Sequence, residues 1–152
     1  MDKAEGLKLI ADEIAVCQAC SLHATRKNTV PGAGFADTDL MLIGEGPGYY
    51  ENEQGLPFVG ASGKFLTTLI QKAGFDRKDV FITNVVKCRP PDNRDPQVDE
   101  LTACAAYLKR QIEIINPEVI VTLGRFSMAK FFQNVRISKV HGKAGWIDGR
   151  LI

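Results

Sequence analysis

Short apolar runs alternate with longer amphipathic stretches along this chain, and the alternation predicts its elements. Residues 40–43 form a continuous apolar run, as in a strand that is buried on both faces. Residues 80–86 and 119–123 have the same character and predict two further strands, and residues 146–152 predict the beginning of another. The pattern therefore predicts four strands.

Apolar residues recur at helical spacing between these strands. The spacing predicts four helices, which run to about Cys17, from Ser62 to Gly74, from Asp95 through residue 115, and over residues 126–132. Helices that alternate with strands cover both faces of a parallel sheet. We therefore predict a three-layer α/β/α fold around a central, mostly parallel four-stranded sheet.

The composition limits the classes of protein that this chain can be. With 152 residues, 45% of them apolar, it can bury one ordinary core, which favours a single domain over residues 1–152. A formal net charge of +1 excludes a broad cationic surface. Any contact with nucleic acid must then come from local basic clusters, at Arg26–Lys27, at Lys87–Arg89 and within residues 139–143.

The chain shows no targeting or membrane signal. Its first residues are polar, and no apolar stretch approaches the ~20 residues that a membrane-spanning helix requires. We therefore expect a cytoplasmic protein that does not bind a membrane and that acts as a monomer.

Four cysteines form a candidate metal site. Cys17 and Cys20 make a Cys-x-x-Cys pair, and Cys88 and Cys104 follow far downstream. Without a signal-peptide pattern, thiols divided in this way favour a metal site over disulfides. Four thiolates suit a zinc ion as well as an iron–sulfur cluster, and the spacing leaves both open. Buried cysteines without a metal, or a redox pair, are the weaker interpretations.

A glycine-rich loop over residues 44–52 follows the first predicted strand. Its glycines allow a ligand to approach the backbone closely, and Glu45 and Glu51 add two carboxylates. The ligand sites of parallel sheets lie beyond the carboxyl ends of the strands, which is where this loop falls. The loop is neither a Walker loop nor a dinucleotide fingerprint, and a tight turn without a ligand is the alternative.

Phe58 and Asn84 complete a candidate pocket for a nucleobase. Phe58 lies between two glycine-containing turns just before a predicted helix, where its ring could stack on a base, although a lone phenylalanine is more often part of a core. Asn84 lies at the end of the second predicted strand, and its amide offers a donor and an acceptor that match the edge of a pyrimidine.

Three motifs in this order resemble those of the iron–sulfur uracil-DNA glycosylases, family 4 of that superfamily. They are the glycine-rich loop at residues 44–48, Gly-Leu-Pro-Phe-Val-Gly at residues 55–60, and Thr-Asn-Val-Val-Lys-Cys-Arg-Pro-Pro at residues 83–91. The resemblance runs from the first cysteines to the end of the chain. It implies an enzyme that hydrolyses the N-glycosidic bond of uracil in DNA during base excision repair.

The resemblance also implies a role for each candidate residue. The four cysteines would ligate a structural [4Fe–4S] cluster. Glu45 and Asn84 would be catalytic, and the backbone at Glu45 and Gly46 would contact the extruded uracil and help to place the hydrolytic water. Glu51 would exclude the methyl group of thymine, Phe58 would stack on the uracil, and Asn84 would read its edge.

Part of the family pattern is not found in this chain. Family members continue past the segment that resembles residues 146–152 into a strand and a loop with a His-Pro motif, whose histidine assists departure of the uracil. This chain stops at Ile152, so we expect it to be C-terminally truncated and to lack that segment. His141 lies upstream of the motif and is expected at the surface, and Asn52 stands where relatives commonly have aspartate.

Two other functions remain open from the sequence. One is a non-catalytic nucleic-acid-binding module that keeps the pocket and a structural metal site, which would bind DNA in a salt-sensitive way without releasing a base. The other is a phosphate- or nucleotide-binding α/β protein that uses the glycine-rich loop, against which the missing Walker lysine counts.

Overall fold

A computed structural model describes the chain over residues 1–152. Its strands are β1 (Ala33–Gly34), β2 (Leu40–Gly44), β3 (Phe81–Asn84), β4 (Val119–Thr122), β5 (Trp146–Ile147) and β6 (Arg150–Leu151). They form one sheet in the order β1-β3-β2-β4-β6-β5. The four inner strands are parallel, and β1 and β5 pair antiparallel at the two edges. This confirms the mostly parallel fold, to which the two short edge strands are an addition.

Six α-helices connect and cover these strands. They are α1 (Lys3–Ala15), α2 (Tyr49–Gln54), α3 (Ala61–Lys72), α4 (Val98–Ile115), α5 (Arg125–Met128) and α6 (Ile137–Val140). Helices α1 and α4 pack against each other on one face of the sheet, and α3 covers the other face. The three layers are therefore those expected from the alternation of strands and helices.

Alternating side chains of the central strand divide the interior into two cores. The core under α4 contains Met41, Ile43, Phe81, Leu108, Ile115 and Ile120. The core under α3 contains Leu42, Leu66, Ile70, Val80 and Ile82. Because successive side chains of a strand point to opposite faces, the apolar run of β2 supplies both cores at once.

The register of the parallel strands brings their carboxyl ends together. Gly44, the last residue of β2, lies directly opposite Asn84, the last residue of β3, and Ile43 lies opposite Thr122 of β4. The loops that leave these ends therefore share one edge of the sheet, where α/β proteins place their ligands.

Several elements differ from the prediction: helices α2 and α6 were not predicted, and α5 ends at Met128 rather than at residue 132. Strand β3 ends at Asn84, after which the backbone turns to pair with the glycine-rich loop. Helix α4 begins at Val98, because the Gln97 backbone N–H is capped by the Glu100 carboxylate. Residues 146–152 form a hairpin rather than one strand, because Asp148 and Gly149 both take positive φ in its turn.

A helix that crosses a membrane must be both long and apolar. No helix of this fold meets both conditions.

Candidate active site and cysteine pocket

A polar cleft of about 220 Å³ opens at the carboxyl edge of the sheet. All five residues predicted to form the pocket line it: Glu45, Gly46, Glu51, Phe58 and Asn84. Further residues that line it are Ser62, Pro90, Asn93 and Arg94, which sequence reasoning did not single out. Pro90 falls inside the third motif and Asn93 lies two residues beyond its end, so that motif was the signal that could have found them.

Asn84 is the polar group in the cleft that most needs a partner. The residue is 2% exposed, and its Oδ1 has no hydrogen-bond partner within the protein. A buried acceptor left unpaired costs about 1–3 kcal/mol, so such groups usually meet a ligand or a water. The Asn84 side chain therefore presents a free acceptor at the wall of the cleft.

The ring of Phe58 lies over the backbone at Gly44. A Cβ atom at Gly44 would come within 2.5 Å of Phe58 Cζ and within 2.6 Å of Asn84 Oδ1. Only glycine leaves room there, so Gly44 brings the ring and the amide to the same point. Phe58 is thus placed beside Asn84, as the predicted pairing of a stacking ring with an edge-reading amide requires.

The backbone of Phe58 is held in an unusual conformation. Its φ is +50°, a left-handed conformation that is uncommon for a bulky residue and that persists only where neighbours impose it. Arg77 donates from Nη1 to the Phe58 carbonyl at 2.6 Å and to Thr67 Oγ1 at 3.1 Å, and from Nη2 to the Pro57 carbonyl. A Cβ at Gly63 would overlap the same Phe58 carbonyl.

Arg77 was missed by the sequence analysis. It lies 19 residues from Phe58, in a short turn before β3, and no local pattern marks it as different from the other surface arginines. Burial lowers the pKa of its guanidinium. Arg77 thus fixes the position of Phe58 without lining the cleft itself.

Glu51 ties together the two loops on which the cleft depends. Its Oε1 accepts from the Gly48 N–H at 3.0 Å, and its Oε2 accepts from the N–H groups of Val59 and Gly60 at 2.9 Å. Both carboxylate oxygens are therefore engaged by backbone donors. This connects the glycine-rich loop to the segment that carries Phe58.

Glu45 is the titratable side chain at the base of the cleft. Burial raises the pKa of its carboxyl, the negative charge of Asp95 raises it further, and the positive charge of Arg125 lowers it. At the neighbouring Gly46, a Cβ would lie 2.6 Å from Val86 Cγ2, so the loop backbone packs closely against the segment after β3.

The four cysteines line a second pocket, which is mainly apolar and lies behind the cleft. Cys17, Cys20, Cys88 and Cys104 are all free thiols and all face this pocket. Burial raises the pKa of the Cys88 thiol and raises that of Cys104 to about 11. No three thiol, imidazole or carboxylate groups are close enough to hold a single metal ion. The pocket nonetheless brings together the three chain segments that carry the four cysteines.

Arg26 fastens the first cysteine segment to the second. Its Nη1 donates to the Cys17 carbonyl at 2.7 Å and lies 3.5 Å from Cys88 Sγ, and its Nη2 donates to the Ala15 carbonyl at 3.4 Å. Arg26 is thus committed to the cysteine pocket. The neighbouring Lys27 pairs with Glu53 at 2.5 Å. Both members of the basic cluster Arg26–Lys27 are therefore engaged by groups within the protein.

Lys87 lies between the two pockets. It is 1% exposed, and its Nζ donates to Thr83 Oγ1 at 2.6 Å, to the Asn84 carbonyl at 2.7 Å and to Gln111 Oε1 at 2.7 Å. Burial lowers its pKa to about 7. Lys87 belongs to one of the basic clusters considered for nucleic-acid contact, but its buried side chain cannot make such a contact.

A second connection between the pockets passes through Glu100, which is fully buried. Glu100 receives two hydrogen bonds from Arg94 of the cleft, at 2.8 and 2.9 Å, and one from Ser21, at 3.3 Å. The pKa of Glu100 is lowered mainly by the hydrogen bond from Arg94. Since Ser21 follows Cys20, the cleft and the cysteine pocket share one polar network.

His141 does not belong to either pocket. It is exposed and borders an apolar groove beside the C-terminal hairpin, together with Lys143. This agrees with the expectation that it is a surface residue.

Comparisons with known proteins give this arrangement a family. The model of the uracil DNA glycosylase superfamily matches residues 31–151. The chain is 53% identical over 145 residues to a type-4 uracil-DNA glycosylase of Saccharolobus solfataricus. The alignment covers 91% of this chain and 67% of the relative. It is 45% identical over 151 residues to a type-4 uracil-DNA glycosylase of Thermotoga maritima. That alignment covers 97% of this chain and 79% of the relative. The chain thus spans about two thirds to four fifths of the length of these relatives.

Proposed function

Because this chain belongs to the uracil-DNA glycosylase superfamily, among its type-4 members, we propose that it releases uracil from DNA by hydrolysis of the N-glycosidic bond. The observation that carries this proposal is the unpaired Asn84 Oδ1 beside the Phe58 ring. An acceptor and a flat apolar surface at one point form a site for the edge and the face of a base.

Asn84 selects the base through its hydrogen-bonding pattern. Uracil carries an N3–H donor next to a carbonyl oxygen, so its edge satisfies the Asn84 Oδ1 and can accept from the Asn84 amide N–H. Cytosine has an unprotonated N3 at that position, which leaves the buried acceptor facing another acceptor. The cost of an unpaired buried acceptor, about 1–3 kcal/mol, then acts against cytosine.

Phe58 and Glu51 define the rest of the base-binding site. Stacking of a base on an aromatic ring contributes ~1–3 kcal/mol, and the clamped Phe58 backbone offers its ring in a fixed position. Glu51 closes the opposite side by holding Gly48 and Gly60 in place, which leaves little room for the methyl group of thymine. Selection against thymine by Glu51 is therefore steric in this proposal.

Hydrolysis requires an extruded nucleotide and a water at its sugar. Extrusion of a base costs a few kcal/mol, which stacking and hydrogen bonds in the cleft offset. As the bond between C1′ and N1 breaks, the electron pair leaves with the uracil, and hydrogen-bond donors at its oxygens stabilise this anion. Water adds to C1′ and loses a proton, and the leaving uracil gains one. The Glu45 carboxylate orients that water, and the backbone at Gly46 contacts the base.

The four cysteines suit a [4Fe–4S] cluster. Such a cluster is held by four cysteine thiolates, and Cys17, Cys20, Cys88 and Cys104 line one mainly apolar pocket. The group would supply a cross-link rather than a step of the reaction, because the pocket is separate from the cleft. We further propose that the enzyme is a cytoplasmic monomer, since residues of one chain line both the cleft and the cysteine pocket.

Release of uracil from labelled DNA tests the proposal. The wild-type protein, purified without oxygen and analysed for iron and sulfide, is expected to leave abasic sites in uracil-containing DNA. Asn84→Ala should reduce kcat by about 10²–10³-fold, the size of effect seen when a positioned hydrogen-bonding group is removed. Gln133→Ala removes an exposed amide outside the cleft and is the matched control. Wild-type protein that binds this DNA but leaves no abasic sites would overturn the proposal in favour of a binding module.

A further inference from the structure

Two exposed tyrosines stand at the mouth of the cleft. Tyr49 and Tyr50 are 52% and 60% exposed, and their rings meet edge to face with centroids 5.3 Å apart. Large aromatic rings are usually mostly buried in a folded protein. Exposed rings beside a pocket are typical of surfaces that bind a partner.

Arg89 completes this surface, and we call the three residues the aromatic rim. The Arg89 guanidinium carbon lies 5.6 Å from the centroid of the Tyr49 ring, and its Nε donates to Asn93 Oδ1 at 2.7 Å. Both contacts orient the side chain and leave its two terminal nitrogens without a partner inside the chain. The rim therefore offers an open ring and two free N–H donors side by side.

The rim borders the cleft on two sides. Gly48, which lines the cleft, directly precedes Tyr49, and Pro90 and Asn93, which also line it, follow Arg89. A strand whose nucleotide enters the cleft can therefore reach the rim with the next nucleotide. The chemistry that the rim presents, an aromatic face and a cation, fits a base and a phosphate.

We propose that the aromatic rim binds the nucleotide next to the extruded one. Tyr50, the more exposed ring, stacks on its base, and Arg89, held by Tyr49 and Asn93, contacts its phosphate. This inference rests on the proposed function, since it takes the cleft as the site of an extruded nucleotide. It assigns a binding role to three residues that the base pocket does not use.

Fluorescence anisotropy with single-stranded oligonucleotides tests the rim separately from the reaction. Each oligonucleotide carries a tetrahydrofuran abasic site, so nothing can be released. In one series both bases next to the abasic site are present. In the other series, the base on either the 5′ side or the 3′ side of the abasic site is also removed. Removal of one neighbouring base is expected to raise the Kd of the wild-type protein about 5- to 150-fold, the equivalent of one base stacked on an aromatic ring.

The variants distinguish stacking from phosphate contact. Tyr50→Ala should bind the complete oligonucleotide as weakly as the wild-type protein binds the one without the neighbouring base, and should no longer distinguish the two. Tyr50→Phe should retain the discrimination. Arg89→Ala should weaken binding to both oligonucleotides equally and reduce the slope of log Kd against log salt by roughly one unit. Phe75→Ala, an exposed ring beyond the far end of α3, should bind as the wild-type protein does.

Two results would overturn the inference. One is a Tyr50→Ala variant that distinguishes the oligonucleotides as well as the wild-type protein, and the other is a wild-type protein that does not distinguish them. The uracil-release assay on the same preparations keeps this outcome apart from the proposed function. If the protein releases uracil but its binding does not depend on the neighbouring base, the proposal for the rim is wrong and the proposed glycosylase activity stands. If binding depends on the neighbouring base but no uracil is released, the proposed glycosylase activity is wrong.

Discussion

The cleft and the cysteine pocket are built on different principles, although they lie a few residues apart along the chain. The cleft is polar and is shaped by backbone: Gly44 and Gly46 allow close approach, and Glu51 binds three backbone N–H groups. The cysteine pocket is mainly apolar and is defined by four side chains from three separate segments. This difference predicts that changes to the loop backbone will alter base binding, whereas changes to the cysteines will alter stability.

The largest effect is expected from the loss of a cysteine. Cys88→Ser removes one ligand of the proposed cluster, and metal binding at a structural site can contribute on the order of 10 kcal/mol to folding. We expect loss of iron and a large fall in Tm, followed by proteolysis near the first cysteines. Iron and sulfide analysis and calorimetry measure this. Thr102→Ser, on the exposed side of α4, is the control, and an unchanged Tm in Cys88→Ser would refute a structural cluster.

A methyl group at Gly44 is expected to damage the cleft alone. The added Cβ would meet Phe58 Cζ at 2.5 Å and Asn84 Oδ1 at 2.6 Å, so both base-binding groups must move. Gly44→Ala should lower kcat/KM for uracil release by roughly 100-fold or more, the size of effect for a misplaced catalytic group. Iron content should stay at the wild-type level.

Gln133→Ala, the exposed control outside the cleft, should leave both kcat/KM and iron content at the wild-type level. If Gly44→Ala lost iron together with activity, the two regions would not be independent, and the contrast drawn between them would be wrong.

Arg77→Ala tests whether uracil release depends on the position of the Phe58 ring, since the variant keeps the ring but removes the residue that holds its backbone. The change removes the donors to the Phe58 and Pro57 carbonyls, and we expect kcat/KM for uracil release to fall about tenfold, within the ~1–3 kcal/mol of a base stack. The informative measurement is a double-mutant cycle with Phe58→Ala. If Arg77 acts through the ring, its removal should cost little more once the ring is gone.

Arg77→Lys keeps the charge but not the two-pronged geometry, so it should recover only part of the activity. Additive losses in the cycle would instead mean that Arg77 stabilises the fold generally, which thermal unfolding of the single variant would show.

The smallest expected effect is a shift of the pH profile. The pKa of Glu45 is raised above the ordinary 4.5, so activity that depends on its carboxylate is present above the raised pKa and is lost as pH falls through it. Asp95→Asn removes a negative charge that raises the pKa of Glu45. It also removes the ion-pair partner of Arg125, whose positive charge lowers the pKa of Glu45. The acid limb of kcat/KM should therefore move to lower pH in Asp95→Asn and disappear in Glu45→Gln. If the acid limb of kcat/KM is unchanged in both variants, a group other than Glu45 is responsible for it.

The sequence predicted the components of both pockets because their residues lie at places with strong local signals. Asn84 and Gly44 fall at the ends of apolar runs, and the cysteines have a recognisable spacing. The family membership predicted from three motifs is confirmed by the matching superfamily model over residues 31–151. Those signals are short in sequence, and the fold then brings them together at one edge of the sheet.

The contacts that hold the pockets in place could not be predicted in the same way. Lysine is rarely buried and no local pattern marks Lys87 as an exception, yet three oxygens accept hydrogen bonds from its ammonium group inside the protein. Arg77 reaches Phe58 across 19 residues, and such contacts depend on the packed arrangement of loops. The C-terminal hairpin is different, because Asp148–Gly149 carried a turn signal that the apolar pattern obscured.

The pairing of Gly44 with Asn84 across the sheet has a thermodynamic consequence. Since the two residues are neighbours in a ladder of strands, the entropy of ordering the pocket is lost during folding and not when a base arrives. Binding should then require little rearrangement, and its free energy can be used to draw the nucleotide out of the helix. A rigid receptor of this kind gains its selectivity before it meets its substrate.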